Sequence, residues 1–173
     1  MKLISSNPYR IIGILGGASS REQENKIKRL RQYVEAEQET QADFSFPILG
    51  NLCRTIEEIT KAASKLTMDK DKLDAALFWF YLGNPITDEP AFDYLKEGDQ
   101  QGTNEIWSKM VSSGSISQRN SSAYQNLSTL ILNSAFNGSV MNNDYFEQGI
   151  DLKIKFLESE YVNDFIALIT DKT

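Results

Sequence analysis

Apolar positions along the chain recur with the period of a helix. Ile27, Leu30 and Val34 fall at i, i+3 and i+7, one stripe through an otherwise charged stretch. Ser19, followed three residues later by Glu22, has the spacing of a capping box and predicts where that helix begins. Ahead of it, Tyr9, Ile11, Ile12 and Ile14 form a short apolar element, introduced by Asn7-Pro8 and closed by Gly16-Gly17. The pattern lapses from Glu39 to Asn51. Pro47 and Gly50 break it, while Phe44, Phe46, Ile48 and Leu49 stay apolar, so an ordered loop pinned by its aromatic rings is expected. Thr55 and Glu58 repeat the capping pattern, and Ile56, Ile59, Ala63 and Leu66 supply a second stripe. MDKDK reads as a turn. Leu73, Ala76, Leu77 and Phe80 then predict a third helix, stopped by Gly83, Asn84 and Pro85.

The second half continues in the same way. Pro90 stands where a helix can start, and Phe92, Leu95, Ile106, Trp107 and Met110 are apolar positions on either side of GDQQG. SSGSISQRNSS is a loop, after which Tyr124, Leu127, Leu130, Ile131 and Ala135 share a helical face. FNGSVMNN is another loop, and a final helix offers Phe146, Ile150, Ile154, Leu157, Tyr161 and Phe165. No segment alternates Val and Ile in the manner of a strand, so the fold class is all-α. Residues 1–83 are expected to form a short helical bundle, and residues 84–173 a set of helical hairpins packed on it. The hairpins are tetratricopeptide-like in architecture, at a spacing longer than that repeat's unit of about 34 residues. The consecutive aromatics Phe78, Trp79, Phe80 and Tyr81 cannot share one helix face. Phe80 fits the stripe; Phe78 and Trp79 are expected to pack against the second half rather than to anchor a partner.

Composition narrows the chemistry. Of 173 residues 40% are hydrophobic, enough for a sizeable core. The net charge of −6 opposes nonspecific binding to nucleic acid or to an anionic membrane. Cys53 is the single cysteine, which forbids an internal disulfide, and MKLISSNPYR carries no signal-like apolar run, so a cytoplasmic setting is expected. The three Asn-x-Ser/Thr triplets, at Asn120, Asn126 and Asn137, are then chance matches. There is no histidine, which removes the commonest general base and zinc ligand. Cys53, with no imidazole to activate it, reads as a small residue packed ahead of a helix. Gly13, Gly16 and Gly17 lack the Gly-Lys-Ser/Thr of a phosphate loop, and Glu57-Glu58 and Asp69-Asp71 lack metal-loop spacing. No catalytic residue, metal or cofactor is expected.

The first half resembles a J domain, the co-chaperone module that stimulates a heat-shock chaperone ATPase. PYRIIGI is similar to the family's short first helix, with its Tyr-x-x-Leu-Gly-Val pattern. Ala18-Ser19 with Glu22 matches the start of the second helix, and Leu30 its core leucine. IEEITKAASKL resembles the third helix through Ile59, Ala62 and Leu66, and Lys72 stands where the family often has a basic residue. Two departures stand out: Gln23 replaces an apolar residue, and ALFWF is more apolar than the family's Tyr-Asp. The position of the family's His-Pro-Asp tripeptide falls on Glu35-Ala36-Glu37. The resemblance therefore implies the bundle, together with loss of ATPase stimulation.

The candidate partner-binding residues are Lys26, Lys28, Arg29 and Arg31, a cationic patch opposite the apolar stripe. In the resembled family the second helix carries basic residues that face the chaperone; the bland alternative is a solvated face paired with nearby acids. The acids that follow, Glu35, Glu37 and Glu39, sit badly at the negative end of a helix, so either the helix continues past Glu39, the preferred reading, or the acids meet cations elsewhere. The expected function is a non-enzymatic interaction or scaffold module, with a protein partner such as a heat-shock chaperone or a larger assembly. The alternatives are an α-helical enzyme that uses carboxylates without histidine, and an N-terminal fragment of a larger helical-repeat protein.

Overall fold

The computed structural model describes residues 2–52 and 54–170; the expectation for Cys53 lies outside them. The α-helices, in chain order, are α1 (Lys2–Ser5), α2 (Pro8–Ile12), α3 (Ser20–Glu35), α4 (Ile56–Lys65), α5 (Asp69–Ala76), α6 (Pro85–Lys96), α7 (Gln100–Val111), α8 (Ser121–Ala135), α9 (Asn143–Leu157) and α10 (Val162–Thr170). A single 3₁₀ turn, Pro47–Leu49, interrupts the loop after α3. Among the described residues there is no sheet, and the all-α expectation holds; the one β-type contact is an isolated parallel bridge between Gly16 and Tyr81.

Both capping boxes start helices as expected. Ser19 accepts from the Glu22 N–H at 3.2 Å and Thr55 from the Glu58 N–H at 3.1 Å. Other boundaries move. α2 closes at Gly13, in the left-handed region with φ 81°, so Ile14 and Leu15 already lie outside the helix, ahead of the expected stop at Gly16-Gly17. MDKDK is the first turn of α5, not a loop, since Met68 is its N-cap and Asp69 and Asp71 suit the positive end. α6 starts at Pro85, capped by Asn84, and Pro90 lies inside it. Loss of the Pro90 N–H frees only the carbonyl of Ile86, a residue 84% exposed, where water can replace it. The last expected helix is two, α9 and α10, and its stripe is rotated. Gly149, Leu152 and Phe156 are buried, whereas Ile154 and Leu157 are exposed.

The larger departure is at Leu77. The third helix ends at Ala76; Leu77, Phe78 and Trp79 follow in turns whose N–H groups return to the carbonyls of Leu73, Ala75 and Ala76, and residues 80–82 leave helical bonding altogether. This resolves the aromatic run. Once the backbone departs from the helix its side chains are no longer confined to one face, so Trp79, Phe80 and Tyr81 are all buried while Phe78 lies at the margin. Trp79 and Phe80 have no exposed surface and Tyr81 is 6% exposed. Phe46 packs on Trp79, Phe80 and Phe92, and Trp107 stacks on Phe80 at 5.8 Å between ring centres. Phe46 holds this place from a left-handed backbone, φ 47°, at the head of the 3₁₀ turn. The loop after α3 is thus pinned by its aromatics, as expected.

An extended segment in the core exposes its peptide groups to an apolar medium, and each must find a partner. Gly16 donates to Phe80 O at 2.9 Å. Asn7 Nδ2 donates to Phe78 O at 3.4 Å, and side chains of α8 serve much of the rest. The Asn126 amide donates to Tyr81 O at 2.9 Å and its oxygen accepts the Tyr81 N–H at 3.0 Å, in the manner of a peptide group in a ladder. Gln125 donates to the carbonyls of Ala76, Leu77 and Trp79 at 3.1–3.2 Å. This is why α8 is buried all round: Gln125, Asn126, Ser128 and Thr129 have no exposed surface. Its apolar face is the expected one, with Tyr124, Leu127 and Leu130 buried; its polar face is a second interior face. α9 closes over α8 at Gly149, where an added Cβ would meet Leu132 side-chain carbons at 2.7 Å, and where Ser128 donates to Gly149 O at 2.7 Å.

Lys153 of α9 completes the cage. Its ammonium, on a residue 5% exposed, donates to Leu77 O at 2.6 Å, Gln125 Oε1 at 2.8 Å and Thr129 Oγ1 at 3.3 Å. The Phe78 ring lies 5.7 Å away. Burial pushes the Lys153 pKa down to about 7.

The packing joins the two halves. α6 packs on α7, α7 on α8 and α8 on α9, while α10 returns to α5 and α1 reaches α8. One apolar cluster runs from Ile4 to Ile169.

Asn126→Ala leaves both peptide groups of Tyr81 buried without a partner, and should cost about 2–4 kcal/mol in urea unfolding; a loss under about 1 kcal/mol would refute the clamp. Lys153 sets a pH dependence. Its folded pKa of about 7 lies below the unfolded value, so between the two the unfolded chain holds one more proton and stability rises with pH. Between pH 7.5 and 9.5, below the titration of Tyr9 and Tyr81 (both pushed up by burial), the wild type should gain about 1–1.4 kcal/mol per pH unit relative to Lys153→Met. Parallel curves for the two proteins would show that the ammonium is not desolvated.

Candidate interaction surface on helix α3

α3 presents its apolar stripe inward as the spacing predicts: Leu30 is 1% exposed, and Ile27 and Val34 pack on the core from the margin. The four cationic candidates do not form one patch. Lys26 turns to the protein and pairs with Asp43 at 2.9 Å, and Arg31 donates to Thr60 Oγ1 of α4 at 3.2 Å. Lys28 and Arg29 are exposed, and none of the ion pairs among the described residues uses them. The reason is position. Lys26 and Arg31 flank the buried stripe, whereas Lys28 and Arg29 lie on its far side.

Asp43, absent from the sequence reading, organises the inner edge of this surface. Its Oδ1 accepts the Ser45 N–H at 2.9 Å, and its Oδ2 takes both Lys26 and Arg54 at 2.9 Å. Burial raises its pKa, but the Ser45 hydrogen bond and the two cations outweigh that and hold the carboxyl below the usual range. Arg54 donates in addition to Ile11 O at 2.8 Å and to Thr40 Oγ1 at 3.2 Å, and so ties α2 to the loop after α3. Arg10, buried completely, donates to the carbonyls of Ser5, Ser45, Gly50 and Asn51. The pattern that could have revealed these roles is weak: an Arg and an Asp in otherwise apolar stretches.

Beside this cluster the surface opens into a groove of about 400 Å³ in which Arg21, Lys26 and Arg29 outnumber the one carboxylate, Glu22. Arg21, Asn25 and Arg29 are four apart and share a face of α3. Arg21 is the second residue that sequence reasoning missed; its separation from the basic run hides a relation that helical geometry restores. Guanidinium groups on an exposed helix can bind carboxylates or phosphates but break no bond alone. Among the described residues no group of three or more His, Cys, Asp and Glu is placed to hold a metal.

The acidic end does not continue the helix, contrary to expectation. α3 stops at Glu35 in a Schellman turn: Glu37 N–H returns to Val34 O at 3.2 Å, Gln38 N–H to Tyr33 O at 2.9 Å, and Glu37 is left-handed at φ 52°. The stripe is exhausted at Val34, and the chain must turn to bring Phe44 and Phe46 inward. Glu35, Glu37 and Glu39 stay exposed at the negative helix end.

Gly13 supports the whole arrangement. Its φ of 81° excludes most side chains, and a Cβ there would collide with the Asp43 carboxylate and with Arg54 Nη2. Gly13→Ala should destabilise by about 2–4 kcal/mol in denaturant unfolding, and a loss under about 1 kcal/mol would show that Asp43 moves freely.

Neither a family model, nor a curated protein, nor a solved structure matches this chain.

Proposed function

We propose that the chain is a non-enzymatic interaction module whose contact face is the cationic side of α3, and that it works on a protein partner with an acidic surface. The observation that carries this reading is the pair Lys28 and Arg29: exposed, without an ion pair among the described residues, and joined on the same helix by Arg21, about two turns from Arg29. In a chain of net charge −6 such a face is local, so it favours an oriented contact over nonspecific attraction.

The J-domain resemblance belongs to the same proposal. A short helix, α2, packs on α3 and α4, and α2 also meets α5, an order and packing that suit a J-like bundle. Glu35-Ala36-Glu37, at the position of the missing tripeptide, falls in the turn that ends α3. The partner is then a heat-shock chaperone bound without stimulation of its ATPase, or a larger assembly, met in the cytoplasm. No helix among the described residues is long and apolar enough to cross a membrane.

Two measurements test this. The chain should leave the ATPase rate of its host chaperone unchanged; stimulation at the level of an authentic J protein defeats the proposed loss. Affinity capture on the full chain should retain a protein that Lys28→Glu/Arg29→Glu retains at least fivefold less, with the melting temperature unchanged. Equal retention by both reduces the α3 cations to a solvated face.

A further inference from the structure

A second groove, of about 380 Å³ and sharing no residue with the first, is lined by α7, α8 and α9. Its floor is Leu130 and Ile131, and its walls are Gln100, Asn104 and Ser108 from α7, Ser134 from α8, and Tyr145 and Gln148 from α9, with Gln101 at the margin. None of these side chains is charged, although 24% of the chain is. An open groove furnished with amides, hydroxyls and a phenol offers paired donors and acceptors and selects against ions, which would lose hydration there without a counter-charge.

We infer that this groove binds an uncharged, extended segment of a partner polypeptide, and reads its main chain. Gln100, Asn104 and Ser108 are four apart, which spaces them about 6 Å along α7. An extended chain presents equivalent peptide groups every second residue, about 6.8 Å apart. The two amides and the Ser108 hydroxyl each carry a donor and an acceptor, Gln100 keeping one N–H and its oxygen beside its bond to Ser134, and at that interval they can engage the N–H and C=O of alternate residues. The same molecule already uses this chemistry, since Asn126 holds both peptide groups of Tyr81. Gln100 is set for the task by its bond to Ser134 Oγ at 2.8 Å, which in turn donates to Leu130 O at 3.2 Å. Asn104 and Gln148 are exposed and their side chains make no hydrogen bond among the described residues, so their amides face solvent. The segment accommodated between Gln100 and Ser108 is about four residues long. Specificity then comes from extended propensity and lack of charge rather than from a side-chain consensus.

The test is panning of a phage-displayed random heptapeptide library on the full chain, with the Asn104→Ala/Gln148→Ala protein in parallel. Both substitutions are at exposed positions, and an unchanged melting curve verifies the fold. The inference expects enrichment of uncharged, β-branched sequences without a consensus. It also expects affinity to fall roughly tenfold on the double variant, and on ester replacement of alternate peptide N–H groups in a selected peptide. Enrichment of charged sequences, binding indifferent to the double variant or to the ester, or no enrichment above the bare support overturns it. So does binding of maltohexaose, but not peptide, to the same amides, which would make the groove a carbohydrate site. Lys28→Glu/Arg29→Glu should leave the panning unchanged, so the groove and the α3 surface succeed or fail separately.

Discussion

Between α5 and α6 the chain from Leu77 to Leu82 crosses the core without forming a helix, and the rest of the structure answers to it. A helix satisfies its own peptide groups; an irregular segment does so only in part, and in an apolar core other groups must meet the deficit. Gly16, Asn7 and Lys153 each meet a share of it here, and side chains of α8 meet most. That choice determines the character of α8, whose Gln125, Asn126, Ser128 and Thr129 would be ordinary surface residues elsewhere and are completely buried here. It also determines the surroundings of α8. A helix with polar atoms inside on one side and Leu127 and Leu130 inside on the other must be covered all round, and α1, α7 and α9 meet it from their several directions. Lys153 belongs to the same constraint, since its three acceptors are two α8 side chains and a carbonyl of the extended segment.

Much of this was legible in the sequence where local chemistry decides. Ser19 and Thr55 announce helices because a cap and its acceptor are three residues apart, and no distant contact is needed. Leu30, Ile59 and Phe92 are core because the helical period says so. The failures share one cause. At Leu73 to Phe80 the apolar spacing suits a helix, yet Phe78 to Tyr81 carry too much ring area for a single face, and burial of Trp79, Phe80 and Tyr81 wins over propensity. The partners that make this possible are 45 to 50 residues away, beyond any local pattern. Read alone, Gln125 and Asn126 suggest a solvated face.

The α3 surface was half legible for a similar reason. Charge and period identify a cationic face, but its division depends on Asp43, which reaches Lys26 from a loop. A carboxylate in a stretch of turn residues gives no hint that burial and two cations will fix it. The acidic end misled because dipole arguments assume a free choice of length, whereas α3 stops where its apolar stripe does.

The dependence of residues 77–82 on α8 also orders events in time. A ribosome adding about 5–20 residues per second needs roughly 2–10 s to advance from Tyr81 to Asn126. Throughout that interval the most aromatic stretch of the chain exists without the side chains that satisfy its backbone. It is then an unpaired, strand-like apolar segment, the kind that pairs with other chains when it meets them. The nascent protein therefore passes through its most association-prone state midway through synthesis, and α8 and α9 end it.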